Sequence, residues 1–231
     1  MNLVIIFITL NLIYITTGKN LKVNSIETFV FVDIETTGLR QPNITELAMW
    51  ITPRNCLLDS QDNMNCRMLN KWTMLFNPGK GIERKASEIT GLNNDMLDKY
   101  DKFDERAGTN IISYLSHYPR PICLIAHNGK RYDFPLIKKT FDKIQLRVPN
   151  YILYSDSLQI LRELENEDIT KAKKKSFKLE DIYERLFHSK PLVTHAAEAD
   201  VEVLYKIALF YGNDFIDIAE KFASRFSEID P

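Results

Sequence analysis

Residues 29 to 39 read Phe-Val-Phe-Val-Asp-Ile-Glu-Thr-Thr-Gly-Leu, and they constrain the fold more than any other segment. Four apolar residues lead into Asp33, and Glu35 follows two positions later. Because side chains alternate across a strand, Asp33 and Glu35 project from one face of a strand that otherwise reads as buried. Two such carboxylates repel each other, so a divalent cation such as Mg²⁺ is the usual reason to place them together. The alternative is an ordinary strand that ends in polar residues before a glycine turn.

The composition is that of a globular protein with one domain. The chain has 231 residues, of which 45% are hydrophobic and 26% charged. Lys and Arg number 30 against 31 for Asp and Glu, which gives a formal net charge of −1. A protein that holds nucleic acid by bulk charge alone would be basic. Any nucleic-acid contact must therefore be local or carried by a metal ion.

Residues 1–18 form an apolar leader, and residues 26–231 form the predicted folded domain. The first 17 residues contain no charged side chain. This stretch is short for a membrane span, which needs about 20 residues. It resembles the apolar core of a secretory signal, although it lacks the basic residues that normally precede one. An uncleaved anchor and a mis-assigned start remain alternatives.

The cysteine content does not indicate a zinc site. The three cysteines are Cys56, Cys66 and Cys123, and none lies in a Cys/His cluster with zinc-ligand spacing. Cys123 lies in an apolar run and is expected to be a buried thiol. Cys56 and Cys66 flank a polar segment and could form a disulfide if the chain enters an oxidising compartment.

The order of predicted elements indicates one α/β domain with a mixed sheet. Three strands, at 29–34, 43–52 and 66–76, form an antiparallel meander with a polar loop at 54–65. Two further strands are predicted at 121–126 and 151–154. Helices are predicted at 103–117, from about 132 to 141, and at 157–165, 179–187, 196–211 and 215–226.

Two further acids follow later elements. Asp133 comes after the fourth strand, in the first turn of a helix, where an acid is favourable without any function. Asp200 lies on the long C-terminal helix, and His195 precedes it by five positions. In a continuous helix their side chains would be about 140° apart, so both reach one site only if His195 lies at the entry to the helix. A lone His before a helix is otherwise most often a surface or capping residue.

In chain order these groups spell Asp-x-Glu after one strand, Asp after another, and His-x4-Asp near a C-terminal helix. That order resembles the DEDDh class of 3′→5′ exonucleases, within the ribonuclease H-like superfamily, and in particular the three-prime repair exonucleases. The phrases that carry the likeness are Gln-Pro-x-x-Thr-Glu-Leu at 41–47, Ser-Glu-Ile-Thr-Gly-Leu at 87–92, Ala-His-Asn-Gly-x-Arg-Tyr-Asp-Phe-Pro-Leu at 126–136 and His-x-Ala-Glu-x-Asp at 195–200. The resemblance covers most of the chain.

The resemblance implies a ribonuclease H-like α/β fold, with a five-stranded mixed sheet flanked by helices. It also implies that two Mg²⁺ ions, for which Mn²⁺ can substitute, are held by four acids: Asp33, Glu35, Asp133 and Asp200. In such a two-metal site one ion activates the attacking water and the other stabilises the leaving oxygen. His195 would be the general base, a role that suits neutral imidazole near physiological pH.

The same resemblance implies a set of substrate contacts. Glu35, Thr36 and Asp200 would hold the terminal nucleotide, and Tyr132 would touch its phosphate or sugar. Leu39 and Ile89 would form an apolar wedge that separates the last bases, although core packing is the ordinary alternative for both. The basic residues Lys173, Lys174 and Lys175 fall where relatives carry a DNA-binding loop, whereas charge alone would indicate a solvated loop.

The implied activity is hydrolysis of DNA from single-stranded or frayed 3′ ends, with release of 5′-deoxymononucleotides. The alternatives are a 3′→5′ exoribonuclease of the same class and a non-catalytic nucleic-acid-binding module. The family also implies a homodimer through the edge of the third strand, and no obligatory membrane partner. The compartment depends on the leader: secretory or extracellular if it is a signal, otherwise nucleus or cytoplasm. DNA repair and DNA degradation would use the same site.

Overall fold

The computed structural model describes residues 25–58, 70–165, 175–192 and 195–231. Its strands are β1 (Thr28–Thr36), β2 (Ile44–Pro53), β3 (Asn70–Leu75), β4 (Ile122–Ala126), β5 (Ile152–Asp156) and β6 (Ser224–Arg225). They form a mixed sheet in the order β3-β2-β1-β4-β5-β6. The first three strands are antiparallel, β1, β4 and β5 are parallel, and β6 returns antiparallel to β5.

Helices cover both faces of this sheet. Within the described ranges they are α1 (Arg54–Leu58), α2 (Arg84–Thr90), α3 (Asn94–Leu97), α4 (Glu105–Ser116), α5 (Asp133–Lys143), α6 (Ser157–Leu164), α7 (Leu179–Phe187), α8 (Ala197–Tyr211) and α9 (Asn213–Phe222). The parallel strands β1, β4 and β5 are buried on both faces, which explains their nearly continuous apolar runs.

The alternation of β1 divides the hydrophobic core in two. Val30 and Val32 face one side of the sheet, where they pack with side chains of α4 and α5. Phe29 and Phe31 face the other side, where they pack with α6, α8 and α9. Asp33 falls in the same alternating set as Phe29 and Phe31, so β1 itself directs its carboxylate toward the side covered by α8.

The mixed α/β architecture predicted from the sequence is confirmed, with three differences in detail. The sheet has a sixth, two-residue strand, β6. Part of the predicted polar loop is the short helix α1, which buries Cys56 and Leu57. The last helix ends at Phe222 rather than at Phe226, because Ala223 is extended and the chain turns to pair with β5.

Several predictions fall wholly or partly outside the described residues. These include the leader at 1–18 and the beginning of the third strand before Asn70. Cys56 is disulfide-bonded and Cys123 is a buried free thiol, whereas Cys66 lies outside the described ranges. In the part of the chain that the structure describes, no helix has both the length and the apolar character needed to cross a bilayer.

Candidate active site

Three of the acids identified in the sequence come together near the C-terminal end of β1. A carboxylate oxygen of Asp33, one of Glu35 and one of Asp200 all lie within 4.8 Å of one another. Asp33 and Glu35 are on β1, and Asp200 is in the first turn of α8, which packs against the same face. All three side chains are partly buried, so each keeps some access to solvent.

The fourth acid, Asp133, adjoins this cluster from the start of α5. Its side chain is only 5% exposed. Burial raises the pKa of Asp33 well above its ordinary value, and the charge of Asp133 is the next largest cause. Burial also raises the pKa of Asp133 to about 7, against the opposing effect of backbone N–H groups, including that of Ile34. The charge of Asp133 therefore acts on Asp33, although Asp133 lies outside the group of three.

The cluster concentrates negative charge that the described part of the protein does not neutralise. Burial, followed by the charge of Asp200, raises the pKa of Glu35 to about 8. Burial also raises the pKa of Asp200. The ion pairs between described residues involve other acids. Converging, partly exposed carboxylate oxygens are the hard ligands that Mg²⁺ and Mn²⁺ bind, so this donor set fits the implied metal ions.

His195 lies before α8 rather than on it. Its backbone has a φ of 62°, in the left-handed region, and its N–H donates to Asp200 Oδ2 at 3.2 Å. The proximity of His195 also lowers the pKa of Asp200, against the larger effect of burial. Because the backbone leaves the helical path here, the 140° separation expected in a continuous helix does not apply. His195 and Asp200 therefore lie at one site, and the His195 side chain is exposed to solvent.

Five of the six predicted substrate contacts lie in an open cleft beside the acids, and the sixth, Asp200, is not among the residues that line it. Glu35, Thr36, Leu39, Ile89 and Tyr132 all line it. The side chain of Leu39 is 83% exposed and that of Ile89 is 46% exposed, so neither is packed in the core. Thr36 Oγ1 and the Tyr132 hydroxyl are 2.7 Å apart and hydrogen-bonded. This bond joins the end of β1 to the residue that precedes α5.

The turn that carries Leu39 depends on Gly38. Gly38 has a φ of 135°, and a Cβ placed there would lie 2.3 Å from the Cδ of Glu83. Glu83 is itself fixed to the turn, since its backbone N–H donates to the Thr37 carbonyl at 2.8 Å. Sequence reasoning missed Glu83, and an isolated acid before a short helix gives no signal that would reveal it.

Sequence reasoning also missed Glu46, which lies directly opposite Glu35 in the β1–β2 pairing. A signal was present, because Glu46 belongs to the Thr-Glu-Leu phrase and interrupts an apolar strand. Burial raises the pKa of Glu46, and its charge in turn contributes to the raised pKa of Glu35. The acidic cluster is therefore larger than the four acids of the sequence motif.

The basic segment at 173–175 is only partly described. Lys173 and Lys174 lie outside the described residues. Lys175 forms an ion pair with Glu165, whose side chain is 5% exposed and is also bound by Arg185 at 3.0 Å. The ammonium of Lys175 thus contacts a protein carboxylate in this structure, and the DNA-binding role that the resemblance implies for residues 173–175 stays a prediction.

Comparison with known proteins identifies the family. The model of the exonuclease family RNase T matches residues 30–208, which include all four metal-binding candidates and His195. The chain belongs to this exonuclease family. It is 34% identical to human three prime repair exonuclease 2 over 217 residues, which cover 89% of this chain and 92% of that protein. It is 32% identical to human three-prime repair exonuclease 1 over 221 residues, which cover 89% of this chain and 70% of that one.

The fold of this exonuclease is also that of solved DEDDh structures. The nuclease domain of 3′hExo, a DEDDh family member solved with bound rAMP, matches with a TM-score of 0.64 and 13% identity. The match covers 84% of this chain and 94% of that domain. At this identity the likeness establishes the ribonuclease H-like fold.

Proposed function

We propose that the chain is a metal-dependent 3′→5′ exonuclease that removes 5′-deoxymononucleotides from single-stranded or frayed DNA ends. The observation that carries the proposal is the convergence of Asp33, Glu35 and Asp200 beside His195, within the matched exonuclease residues. A purely structural role would leave this concentration of acids unexplained, because buried like charges are unfavourable without a compensating cation.

The acids divide into two groups by position. Asp33, Glu35 and Asp200 would hold one Mg²⁺ among them, and Asp133, beside Asp33, would help to hold a second. When bound, the ions supply an activated water and stabilise the leaving oxygen. Mn²⁺, which prefers the same oxygen ligands, would support the same chemistry.

His195 would act as the general base. Its position ahead of α8 gives the imidazole access to solvent. The backbone N–H of His195 donates a hydrogen bond to Asp200 Oδ2 at 3.2 Å, which fixes the backbone at this point. A neutral imidazole in this position would accept the proton of the attacking water. The same proton would then be released to solvent, which the exposed side chain reaches directly.

The cleft would hold the end of the DNA strand. Leu39 and Ile89 offer exposed apolar surface on which nucleobases can pack, and such stacking is largely indifferent to sequence. Glu35, Thr36 and Asp200 would contact the terminal nucleotide from the end of β1 and the start of α8. Tyr132, tied to Thr36 through its hydroxyl, would contact the phosphate or sugar.

A comparison of DNA and RNA tests the proposed substrate. The full chain is given single-stranded DNA and RNA of the same sequence, first separately and then in competition, with Mg²⁺. We expect DNA to be shortened faster, in keeping with the likeness to the three prime repair exonucleases across 92% of one relative's length. Faster loss of RNA would replace the DNA assignment with an exoribonuclease of the same fold. Binding without shortening of either would indicate a non-catalytic module.

We also propose a homodimer through β3. Among the described strands it lies at the edge of the sheet, and all six of its residues are exposed or partly exposed. An unpaired edge presents backbone N–H and C=O groups that a second copy of the strand can pair with. Size-exclusion chromatography with light scattering on the full chain should give a mass twice that of one chain, which is 26.9 kDa. A mass equal to one chain would reject the dimer.

For localisation, we propose entry into the secretory pathway. The apolar leader and the disulfide-bonded Cys56 support this, because disulfides persist mainly in oxidising compartments. Expression of the full chain with a C-terminal tag should place the protein in the secretory pathway or the medium. Retention in the cytoplasm or nucleus with reduced cysteines would reject the proposal.

A further inference from the structure

Helix α8 begins without a capping side chain of its own. The residue before it, Ala196, has an extended backbone and provides no side-chain hydrogen bond to the helix. The first N–H groups of a helix have no partner within the helix and must find one elsewhere. At Ala197, the partner is Glu46, whose Oε2 accepts the backbone N–H at 3.2 Å. The cap of α8 is thus supplied by a residue 151 positions away in the chain.

The pairing of β1 with β2 brings Glu46 to the start of α8. Glu46 lies on β2 directly opposite Glu35 of β1, and paired residues of antiparallel strands share one face. Two residues further along β2, Ala48 packs on the face that α8 covers. The side chain of Glu46 is partly buried between this face and the start of the helix. A negative charge at a helix N-terminus is also favourable to the helix dipole.

The consequence concerns the two functional groups at the start of α8. Asp200 lies three residues after Ala197, in the same first turn. His195 lies two residues before Ala197 and is tied by its backbone to the Asp200 carboxylate. Holding Ala197 therefore holds both groups. Glu46, which binds Ala197, lies on β2. This strand pairs with β1, which carries Asp33 and Glu35.

We infer that Glu46 is a positioning residue, which fixes the first turn of α8 against β2 and so holds Asp200 at the distance from Asp33 and Glu35 that binding of a divalent cation requires. The inference rests on the proposed metal-dependent function. It extends that function to a residue outside the four acids and the His. Glu46 acts on the cation through Ala197 and Asp200, and needs no direct contact with it.

Two substitutions separate this role from a simple effect of charge. Glu46→Gln keeps an oxygen that can accept the Ala197 N–H but removes the negative charge. Glu46→Ala removes both. Positioning predicts that Gln restores what Ala loses, whereas attraction of cations by a nearby charge predicts that both variants lose the same amount. Glu202→Gln is the matched control, because Glu202 lies on α8 beyond Asp200 and pairs with Lys206 at 2.6 Å.

The primary measurement is Mn²⁺ binding to the full chain without substrate, from the electron paramagnetic resonance signal of free Mn²⁺. Glu46→Ala should weaken binding about tenfold or more, as is typical when a residue that orients a metal ligand is removed. Glu46→Gln and Glu202→Gln should bind nearly as well as the wild type. The Mg²⁺ concentration that gives half-maximal nuclease activity should rise in the same order. Circular dichroism and thermal unfolding report whether each variant is folded.

Three results would overturn the inference. Wild-type Mn²⁺ affinity in Glu46→Ala would show that the cap does not position Asp200. Equal losses in the Ala and Gln variants would show that charge, rather than the hydrogen bond, matters. If Glu46→Ala does not fold, Glu46→Gln decides, and weakened binding in that folded variant would reject positioning. The proposed function would fail in a different way. The wild-type chain would bind Mn²⁺, and the variants would differ in affinity as expected, but no nucleic acid would be cleaved.

Discussion

Asp200 is subject to opposing influences that together describe its role. Burial raises its pKa, whereas the charge and the backbone N–H of His195 lower it. The same carboxylate also faces Glu35 and Asp33 at ligand distance. An ionised carboxylate in this position destabilises the folded protein in the absence of a cation and stabilises it when a cation is bound. This is the behaviour expected of a metal ligand.

Asp200→Asn should abolish catalysis and retain the fold. The substitution keeps the shape of the side chain and removes one charge, so we expect Mg²⁺-dependent nucleotide release below about 1% of the wild-type rate. In EDTA the variant should unfold at a higher temperature than the wild type, because one fewer like charge is buried. Asp214→Asn, at an exposed acid of α9, is the control. Near-normal cleavage by Asp200→Asn would contradict the metal assignment.

His195→Ala tests the general base. Turnover should fall by a factor of about 10² to 10⁴, the usual contribution of a positioned base, while Mn²⁺ binding stays close to that of the wild type. The rate should also lose its dependence on base protonation, so that the acidic limb of the pH–rate profile flattens. Single-turnover rates across pH measure both effects. An unchanged profile would remove His195 from the proton-transfer step.

At the scale of elements, the turn between β1 and β2 shapes the cleft. Gly38 adopts a φ of 135°, and the turn is tied to Glu83 on the opposite wall. The hydroxyl of Tyr132 donates to the Gly38 carbonyl at 3.3 Å and adds a second tie. These contacts keep Leu39 outside the core, where 83% of its surface is exposed. An exposed apolar side chain that the backbone holds in place is ready to meet a nucleobase.

Gly38→Ala should therefore distort this turn. A residue with a Cβ is strained at this backbone angle by about 1 to 3 kcal/mol and also meets Glu83. We expect a lower unfolding temperature and a higher KM for single-stranded DNA, with a smaller change in kcat. Gly81→Ala is the control, because a Cβ there meets nothing within 4 Å. Equal behaviour of the two variants would show that the turn does not shape the cleft.

The sequence predicted most elements but misread the C-terminal end. Phe222 and Phe226 are four positions apart, which is the spacing of one helical face, and this favoured a continuous helix. In the structure they pack on opposite sides of the sheet: Phe222, the last residue of α9, lies on the side of Phe29 and Phe31, and Phe226 lies on the other side with Phe134 and Phe141. The chain crosses from one side to the other at β6. Periodicity cannot reveal such a crossing, because it depends on the pairing of Ser224 and Arg225 with β5.

At the scale of the whole molecule, the order of acids along the chain predicted the convergence of Asp33, Glu35 and Asp200. Each acid lies on an element whose apolar pattern is strong, so the sequence located β1, α5 and α8 correctly. Glu46 was missed because its role depends on two long-range facts, the β1–β2 register and the missing cap of α8. Neither is visible in local spacing. Contacts of this kind become evident only when the helix is placed on the sheet.

The stability of the folded protein should depend on both pH and bound metal. The pKa of Glu35 is raised to about 8 and that of Asp133 to about 7. These groups are protonated in both states at low pH, and as pH rises the unfolded state loses their protons first. Without metal, their contribution to stability therefore falls as pH rises above their ordinary pKa values, 4.5 for Glu35 and 3.8 for Asp133, and the loss is complete once pH has passed about 7 to 8.

Added Mg²⁺ should reverse this loss, because it binds the deprotonated acids of the folded state. The increase in unfolding temperature on adding Mg²⁺ should be larger at pH 8 than at pH 5, and it should shrink in Asp200→Asn. Scanning calorimetry in EDTA and in Mg²⁺ at both pH values measures the effect. A Mg²⁺ increment that is equal at the two pH values would contradict cation binding by these acids.

The most direct test of the proposed exonuclease activity measures from which end the full chain degrades DNA, and whether degradation requires metal. Single-stranded DNA is labelled at either its 3′ or its 5′ end and treated in Mg²⁺ or in EDTA. With Mg²⁺, we expect immediate release of a labelled 5′-mononucleotide from the 3′ end and stepwise shortening of the 5′-labelled strand. With EDTA, neither should occur. Cleavage from the 5′ end, internal cuts, or equal activity in EDTA would contradict a metal-dependent 3′→5′ exonuclease.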